Sequence, residues 1–256
     1  MRSLRVDNLS YAYYKNDLVI KNMTVELEFN KIHTLLGLNG SGKTTLIKLL
    51  AGLFAPKTGA VYLNGQDLRL ISNLEKSKSI SYVRQGTTTG DDHFVKDYLS
   101  FGMMNQLSWY QSPTTQQLEK VNQTAIKFGI ENILEKKMNE LSGGQKQIVM
   151  ICRAFVQDTD IIILDEPTSA LDFKNQSLVL KLLKDLVVSE NKTIILSTHN
   201  PNHALYLDSN VILIKDGMIV KSGCSKDMIT TEMLKQVYGS NVAYSNDLDY
   251  REVTIN

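Results

Sequence analysis

Gly37-Leu38-Asn39-Gly40-Ser41-Gly42-Lys43-Thr44 has the residue types and spacing needed to hold a polyphosphate. The segment satisfies G-x-x-x-x-G-K-[ST] and lies between an apolar β-type run, Ile32 to Leu36, and a helical stretch opening at Thr44 and running to Leu50. Glycine lets the backbone wrap closely around phosphate oxygens, successive N–H groups aim inward, and the helix N-terminus adds a favourable dipole for negative charge. Lys43 is expected to bridge the β- and γ-phosphates as a point charge. The Thr44 hydroxyl is expected to complete the shell of a Mg²⁺ ion that otherwise takes water and carboxylate oxygen, with Thr45 joining the binding set behind it.

A second chemical group stands far along the chain. Ile161-Ile162-Ile163-Leu164 reads as a buried strand and ends in two adjacent acids, Asp165 and Glu166. Carboxyl ends of parallel strands face the ligand crevice of open α/β sheets, so both carboxylates are expected beside the phosphate cradle. Their adjacency suggests divided work. Asp165 is expected to hold Mg²⁺ through its water shell, and Glu166, beyond the metal, to polarise the water attacking the γ-phosphate. His199 follows another β-type run, Thr193 to Ser197, so it should emerge at the same edge with a neutral ring free to contact the γ-phosphate.

Bringing these groups together requires a sheet. Ile32 to Leu36, Ile80 to Val83, Ile161 to Leu164, Thr193 to Ser197 and Val211 to Ile214 are short β-type runs, the later ones separated by helical-length segments. Their near-continuous apolar character marks parallel strands covered on both faces by helices. Val179, Leu182, Leu183 and Leu186 recur at i, i+3, i+4 and i+7, an amphipathic helix laying one stripe on that sheet. From about Gly86 to Lys137 the chain changes character, with Thr/Ser/Gln/Asn-rich segments, Met103-Met104 and the helical pattern Leu118, Val121, Ala125, Phe128. An inserted helical lobe is expected there. Each motif occurs once, without internal repeats. The class is α/β.

Composition narrows the function. The 256 residues are 43% apolar and 21% charged with only 4 Pro, which suits a large buried core and not a disordered or fibrous chain. The longest unbroken apolar stretch, Ile148 to Cys152, falls far short of the ~18 or more residues that a membrane-spanning helix needs. The 28 basic and 27 acidic side chains nearly cancel and no Lys/Arg run exceeds Lys136-Lys137, so nucleic acid is not an expected partner. Cys152 and Cys224 suit a reducing compartment, and Met1 to Arg5 lead straight into a strand-like segment without a signal-peptide core, so a cytoplasmic location is expected.

A nucleotide cradle alone serves many functions. Leu141-Ser142-Gly143-Gly144-Gln145 is more specific, arising by residue frequency in well under about one chain in a thousand. This pentapeptide resembles the signature of the ABC ATPases, and other elements of that family fall in the same order along residues 4 to 240. Tyr13 resembles the aromatic residue that stacks on adenine, with Tyr11 and Tyr14 as alternative stackers. Gln85 resembles the Q-loop glutamine, a Mg²⁺ ligand and γ-phosphate sensor, although Arg84 stands where relatives often show proline. Asp172, in Ser169-Ala170-Leu171-Asp172, resembles the D-loop aspartate, and His199 the switch histidine.

The resemblance implies a P-loop NTPase core of the RecA type, with a mainly parallel sheet, an antiparallel β edge and an inserted α-helical subdomain. Residues 1–85 and 155–240 would form the core, 86–154 the helical subdomain with the signature, and 241–256 a tail of unassigned role containing a β-like Val253-Thr254-Ile255. It also implies that ATP and Mg²⁺ are bound, that Lys43, Gln85, Glu166 and His199 carry catalysis, and that Ser142, Gly143, Gly144, Gln145 and Asp172 serve the P-loop of a second copy. With one cradle and one signature, the chain would work as a homodimer. It would sit at the cytoplasmic face of the membrane, docked through about Gly86 to Phe101 on a polytopic permease served by an extracytoplasmic substrate-binding protein. The segments Leu171 to Gln176, Ser197 to Ala204 and Val237-Tyr238-Gly239 resemble those of importers of iron-siderophores, haem and cobalamin. Iron chelates are the expected substrate, molybdate or cobalamin the alternatives, and a soluble ABC ATPase acting as an assembly scaffold a further one. His203 is read as an ordinary member of the helix after the switch, since no second ligand stands at metal-site spacing.

Overall fold

Five apolar runs become the parallel part of one sheet in the computed structural model, which describes residues 3–15, 17–86, 92–107 and 112–239 and the backbone of 242–247 and 250–255. In chain order the strands are β1 (Ser3–Ala12), β2 (Leu18–Glu28), β3 (Ile32–Leu36), β4 (Thr58–Leu63), β5 (Gln66–Asp67), β6 (Ile80–Val83), β7 (Ile161–Asp165), β8 (Thr193–Thr198), β9 (Asn210–Lys215), β10 (Met218–Cys224), β11 (Val242–Asp247) and β12 (Tyr250–Ile255). The helices are α1 (Lys43–Leu50), α2 (Asn73–Ser79), α3 (Val95–Ser100), α4 (Thr115–Lys127), α5 (Gly143–Val156), α6 (Phe173–Glu190), α7 (Pro201–Tyr206), α8 (Ser225–Met228) and α9 (Thr231–Tyr238).

The main sheet has the order β10-β9-β3-β8-β7-β6, with β9, β3, β8, β7 and β6 parallel and β10 antiparallel at one edge. Every residue of β3, β7 and β8 is buried, which explains why those runs show no polar alternation. Alternation survives in where the side chains go. Ile161, Ile163 and Ile195 join the core built on α1, whereas Ile162, Leu164, Ile194 and Leu196 join the core built on α5 and α6.

A separate antiparallel sheet, β2-β1-β4-β5, closes over α1 and packs Leu4, Val6, Leu9, Ile20 and Met23 on Leu46, Ile47 and Leu50. The expected antiparallel edge is therefore more extensive than one strand. Between β6 and β7 the described residues form α3, α4, α5 and 3-10 turns. Val121, Ala125 and Phe128 are buried there, and the Phe128 ring meets Phe155 edge-on at 4.7 Å. Leu118, expected on the same stripe, is 44% exposed because the first turn of α4 lies outside the packed region.

Helix starts follow local capping chemistry. Thr114 with Gln117 and Ser142 with Gln145 form reciprocal capping boxes at α4 and α5. Asp172 caps α6, and Asn200 caps α7 with Pro201 at its first position. In α6, Val179, Leu183 and Leu186 are buried and Leu182 packs against them, as the periodicity requires. The backbone of the tail forms a hairpin, β11 pairing β12 from Val242↔Ile255 to Asp247↔Tyr250. Among the described residues no helix is long and apolar enough to cross a membrane.

Candidate functional site: a phosphate cradle facing two carboxylates

Parallel pairing puts the chemistry at one edge. Leu36 is level with Thr198, Asp165 with Ser197 and Leu164 with Val83, so the residues that follow these strand ends emerge together. The loop after β3 wraps tightly for two reasons. Gly37 passes so close to β9 that a Cβ would stand 2.3 Å from the Ile214 carbonyl oxygen, and Gly42 has φ +104, a conformation side chains resist. The turn between β9 and β10 secures the loop from outside, with Gly217 N–H donating to the Ser41 carbonyl at 3.1 Å. Lys43 is buried, and its ammonium donates to the carbonyls of Gly37 at 2.8 Å and Leu38 at 2.9 Å. Burial lowers its pKa, opposed by the nearby Glu166 and Asp165 charges.

The two carboxylates have different surroundings. Asp165 Oδ1 accepts from Thr44 Oγ1 at 3.1 Å and from Ser197 Oγ at 2.7 Å, whereas Oδ2 is buried without a hydrogen-bond partner. A buried carboxylate oxygen left open beside a threonine hydroxyl has the hard oxygen chemistry that Mg²⁺ takes, so the residues fit that ion. Glu166 lies in the left-handed region at φ +45. Among the described residues it is the one positive-φ position that is neither glycine, asparagine nor aspartate. Local bonds hold this strain: its N–H donates to Ser197 Oγ at 2.9 Å, and Ser169 Oγ donates to its carbonyl at 3.0 Å. Its carboxylate accepts from the Gln85 amide at 2.8 Å and lies 3.7 Å from His199 Nδ1 and 3.9 Å from Lys43 Nζ.

A cleft of about 330 Å³ is lined by Val19, Asn39, Gly40, Gly42, Lys43, Thr44, Thr45, Gln85 and Glu166. A larger one, about 840 Å³ between α4 and α6, shares none of these groups and has no glycine-rich loop to receive phosphate. Tyr13, half exposed, sits at the cradle with its hydroxyl 3.1 Å from Thr45 Oγ1. Tyr11 instead stacks on Phe54 with centroids 5.3 Å apart and meets Tyr13 edge-on, while Tyr14 is 81% exposed.

The structure thus brings Lys43, Thr44, Gln85, Asp165, Glu166 and His199 together. Ser142, Gly143, Gly144, Gln145 and Asp172 share no hydrogen bond or ion pair with them. Ser142 and Gly143 are exposed at the start of α5, and Asp172 is exposed at the start of α6. Ser197 is the functional residue that sequence reasoning passed over, since one hydroxyl bridges Asp165 and the Glu166 N–H. A hydroxyl residue following the apolar Ile194, Ile195 and Leu196, one position before the strand end at Thr198, was its available signal. His203 lies in α7 as expected, buried against Thr198 and Asn200.

The sequence profile of the ABC transporter family matches residues 20–169. The chain belongs to this family, and within it to the ATP-hydrolysing subunits. It is 33% identical over 240 residues to the petrobactin import ATP-binding protein YclP of Bacillus subtilis (strain 168), covering 93% of this chain and 94% of that one. It is 31% identical over 236 residues to the ferric enterobactin transport ATP-binding protein FepC of Escherichia coli (strain K12), covering 92% and 87%. Among solved structures, a chain of an inward-facing metal-chelate type ABC transporter superposes with a TM-score of 0.84 at 28% identity, covering 100% of this chain and 98% of that one. The P-loop NTPase fold expected from the motifs is the fold observed, and the relatives include ATP-binding subunits of iron-siderophore importers.

Proposed function

We propose that this chain hydrolyses Mg-ATP in a site shared between two copies, and that it thereby drives uptake of an iron-siderophore or related metal chelate through a separate permease. The observation that carries the reading is the Glu166 carboxylate, strained into position, bonded to Gln85 and within 4 Å of Lys43 and His199. The loop N–H groups from Gly37 to Thr44 cradle the phosphates, Lys43 swings from its carbonyl partners to them, and Tyr13 presents its ring to adenine. Asn39, Gly40 and Ser41 shape the loop mouth, and Thr45 anchors Tyr13. Thr44, Asp165 and Gln85 would hold Mg²⁺, which would supply neutralisation of phosphate charge. Glu166 orients and deprotonates the attacking water, and His199 contacts the γ-phosphate.

The second half of the site comes from another protomer. Ser142 and Gly143 are exposed and Gly144 half-buried at a helix N-terminus suited to an anion, with Gln145 closing its cap and Asp172 exposed at the start of α6. ATP joins the two faces, hydrolysis removes the link, and residues 86–154 move as a lobe with Gln85 as the reporter. The permease docks on this lobe. The expected docking segment, 86 to 101, lies partly outside the described residues, and its described part exposes Phe94 and Phe101. The chain then sits peripherally on the cytoplasmic face, with the substrate-binding protein across the membrane. The chelate assignment is supported by the names of the relatives and is tested by uptake. In cells lacking this gene, the intact chain should restore accumulation of labelled ferric siderophore and Glu166→Gln should not; restoration by both, or by neither, contradicts the reading.

A further inference from the structure

His199 has an exposed side chain, so core packing does not fix its ring. Its backbone is fixed instead. The Tyr238 hydroxyl donates to the His199 carbonyl at 3.1 Å. On either side of His199, Thr198 Oγ1 accepts the Asn200 N–H at 3.1 Å and pairs with His203 Nδ1 at 3.1 Å. The Asn200 amide nitrogen faces His203 Nε2 at 3.4 Å. With that amide donating, Nδ1 carries the hydrogen and donates to Thr198.

We infer that Tyr238 and His203 are positioning residues that hold the His199 turn in register with the Glu166 carboxylate. The inference rests on the proposed role of His199 at the γ-phosphate. His203 is suited to the task because burial pushes its pKa down to about 4, which keeps the ring neutral and able to accept and donate at once. Tyr238 is held by α9, whose Leu234 and Val237 pack in a small core with Leu213 and with Leu36, the residue before the cradle glycine. The C-terminal helix therefore grips the strand end leading to the cradle and, through one hydroxyl, the residue facing the γ-phosphate. Loosening that hydroxyl leaves nucleotide binding intact and misplaces the His199 ring.

The test uses the full chain with Mg-ATP and labelled histidine. Tyr238→Phe removes one oxygen. It should lower kcat about fivefold, the effect of one neutral hydrogen bond, with KM for ATP within about twofold. It should also shift the His199 ring resonance, assigned by its loss in His199→Ala. In the residual hydrolysis of His199→Ala, adding Tyr238→Phe should change nothing further. His203→Gln should behave like Tyr238→Phe. If Tyr238→Phe matches the parent in both kcat and the His199 resonance while His199→Ala is impaired, the positioning role is wrong. An equal fall in both backgrounds also overturns it, since the hydroxyl then acts elsewhere. A His199→Ala protein that hydrolyses like the parent instead refutes the role of His199, and the inference with it.

Discussion

The Gln85 side-chain amide donates to Glu166 Oε2 at 2.8 Å, joining residues 81 positions apart at the mouth of the cradle. The residue expected to sense the γ-phosphate thus touches the residue expected to act as base, so in the proposed cycle any displacement of Gln85 acts on Glu166 directly. Glu166→Gln keeps the size and an acceptor oxygen for Gln85 but cannot take a proton. Phosphate release should fall about 10²–10⁴-fold while ATP affinity stays within about threefold. Brisk turnover in this variant, measured by phosphate release, would show that another group is the base.

Gly37→Ala should fail for a steric reason. Its Cβ would stand 2.3 Å from the Ile214 carbonyl and 2.8 Å from Ser41 Oγ, both part of the cradle's packing. ATP binding should be lost and the melting temperature lowered by several degrees, roughly 1–3 kcal/mol of strain. Calorimetric titration with ATP is the check, and binding at parental affinity would count against the tight wrap described.

The three tyrosines should separate. Tyr13→Ala should weaken ATP binding about ten-fold, consistent with about 1–1.5 kcal/mol for an aromatic stack. Tyr14→Ala should have no effect, since that ring is 81% exposed. Tyr11→Ala should act more weakly on affinity and more strongly on stability, because its ring packs on Phe54. Equal losses from Tyr13 and Tyr14 would remove the assignment.

Acid should weaken the fold before the carboxylates titrate. His203 stays unprotonated in the native state down to about 4, against an ordinary 6.5, so the unfolded chain binds the extra proton between those values. Stability from this group is complete above about pH 6.5 and falls as pH drops toward 4, by up to about 3 kcal/mol. His33, buried beneath the Glu28 carbonyl, is shifted down by burial and acts in the same direction. Urea unfolding at pH 7 and pH 4.5 should show the loss, and His203→Gln should reduce the difference between the two.

The parts of this protein legible in its sequence are those whose signals are local or periodic. The cradle is one contiguous loop, and the strands Ile161–Asp165 and Thr193–Thr198 are buried throughout and mostly apolar because helices cover both faces. The antiparallel edge followed from the resemblance, but its extent was not legible from periodicity, since register shifts between Val6 and Leu9 and between Leu9 and Tyr11 break the alternation that marks a half-buried strand. Nor were Ser197 and Tyr238, whose partners lie 32 and 39 residues away with no spacing rule to connect them. The left-handed Glu166 was hidden for a similar reason. Its conformation is set by Ser197 and Ser169, not by its own preference.

Everything in the proposed cycle depends on one chain's cradle meeting another chain's Ser142. Sedimentation velocity of Glu166→Gln, with and without saturating Mg-ATP, measures this most directly. The account expects twice the protomer mass only when ATP is present, and monomer under all conditions once Ser142→Arg is added. Monomer with ATP bound, or an ATP-dependent dimer that ignores Ser142→Arg, would contradict it.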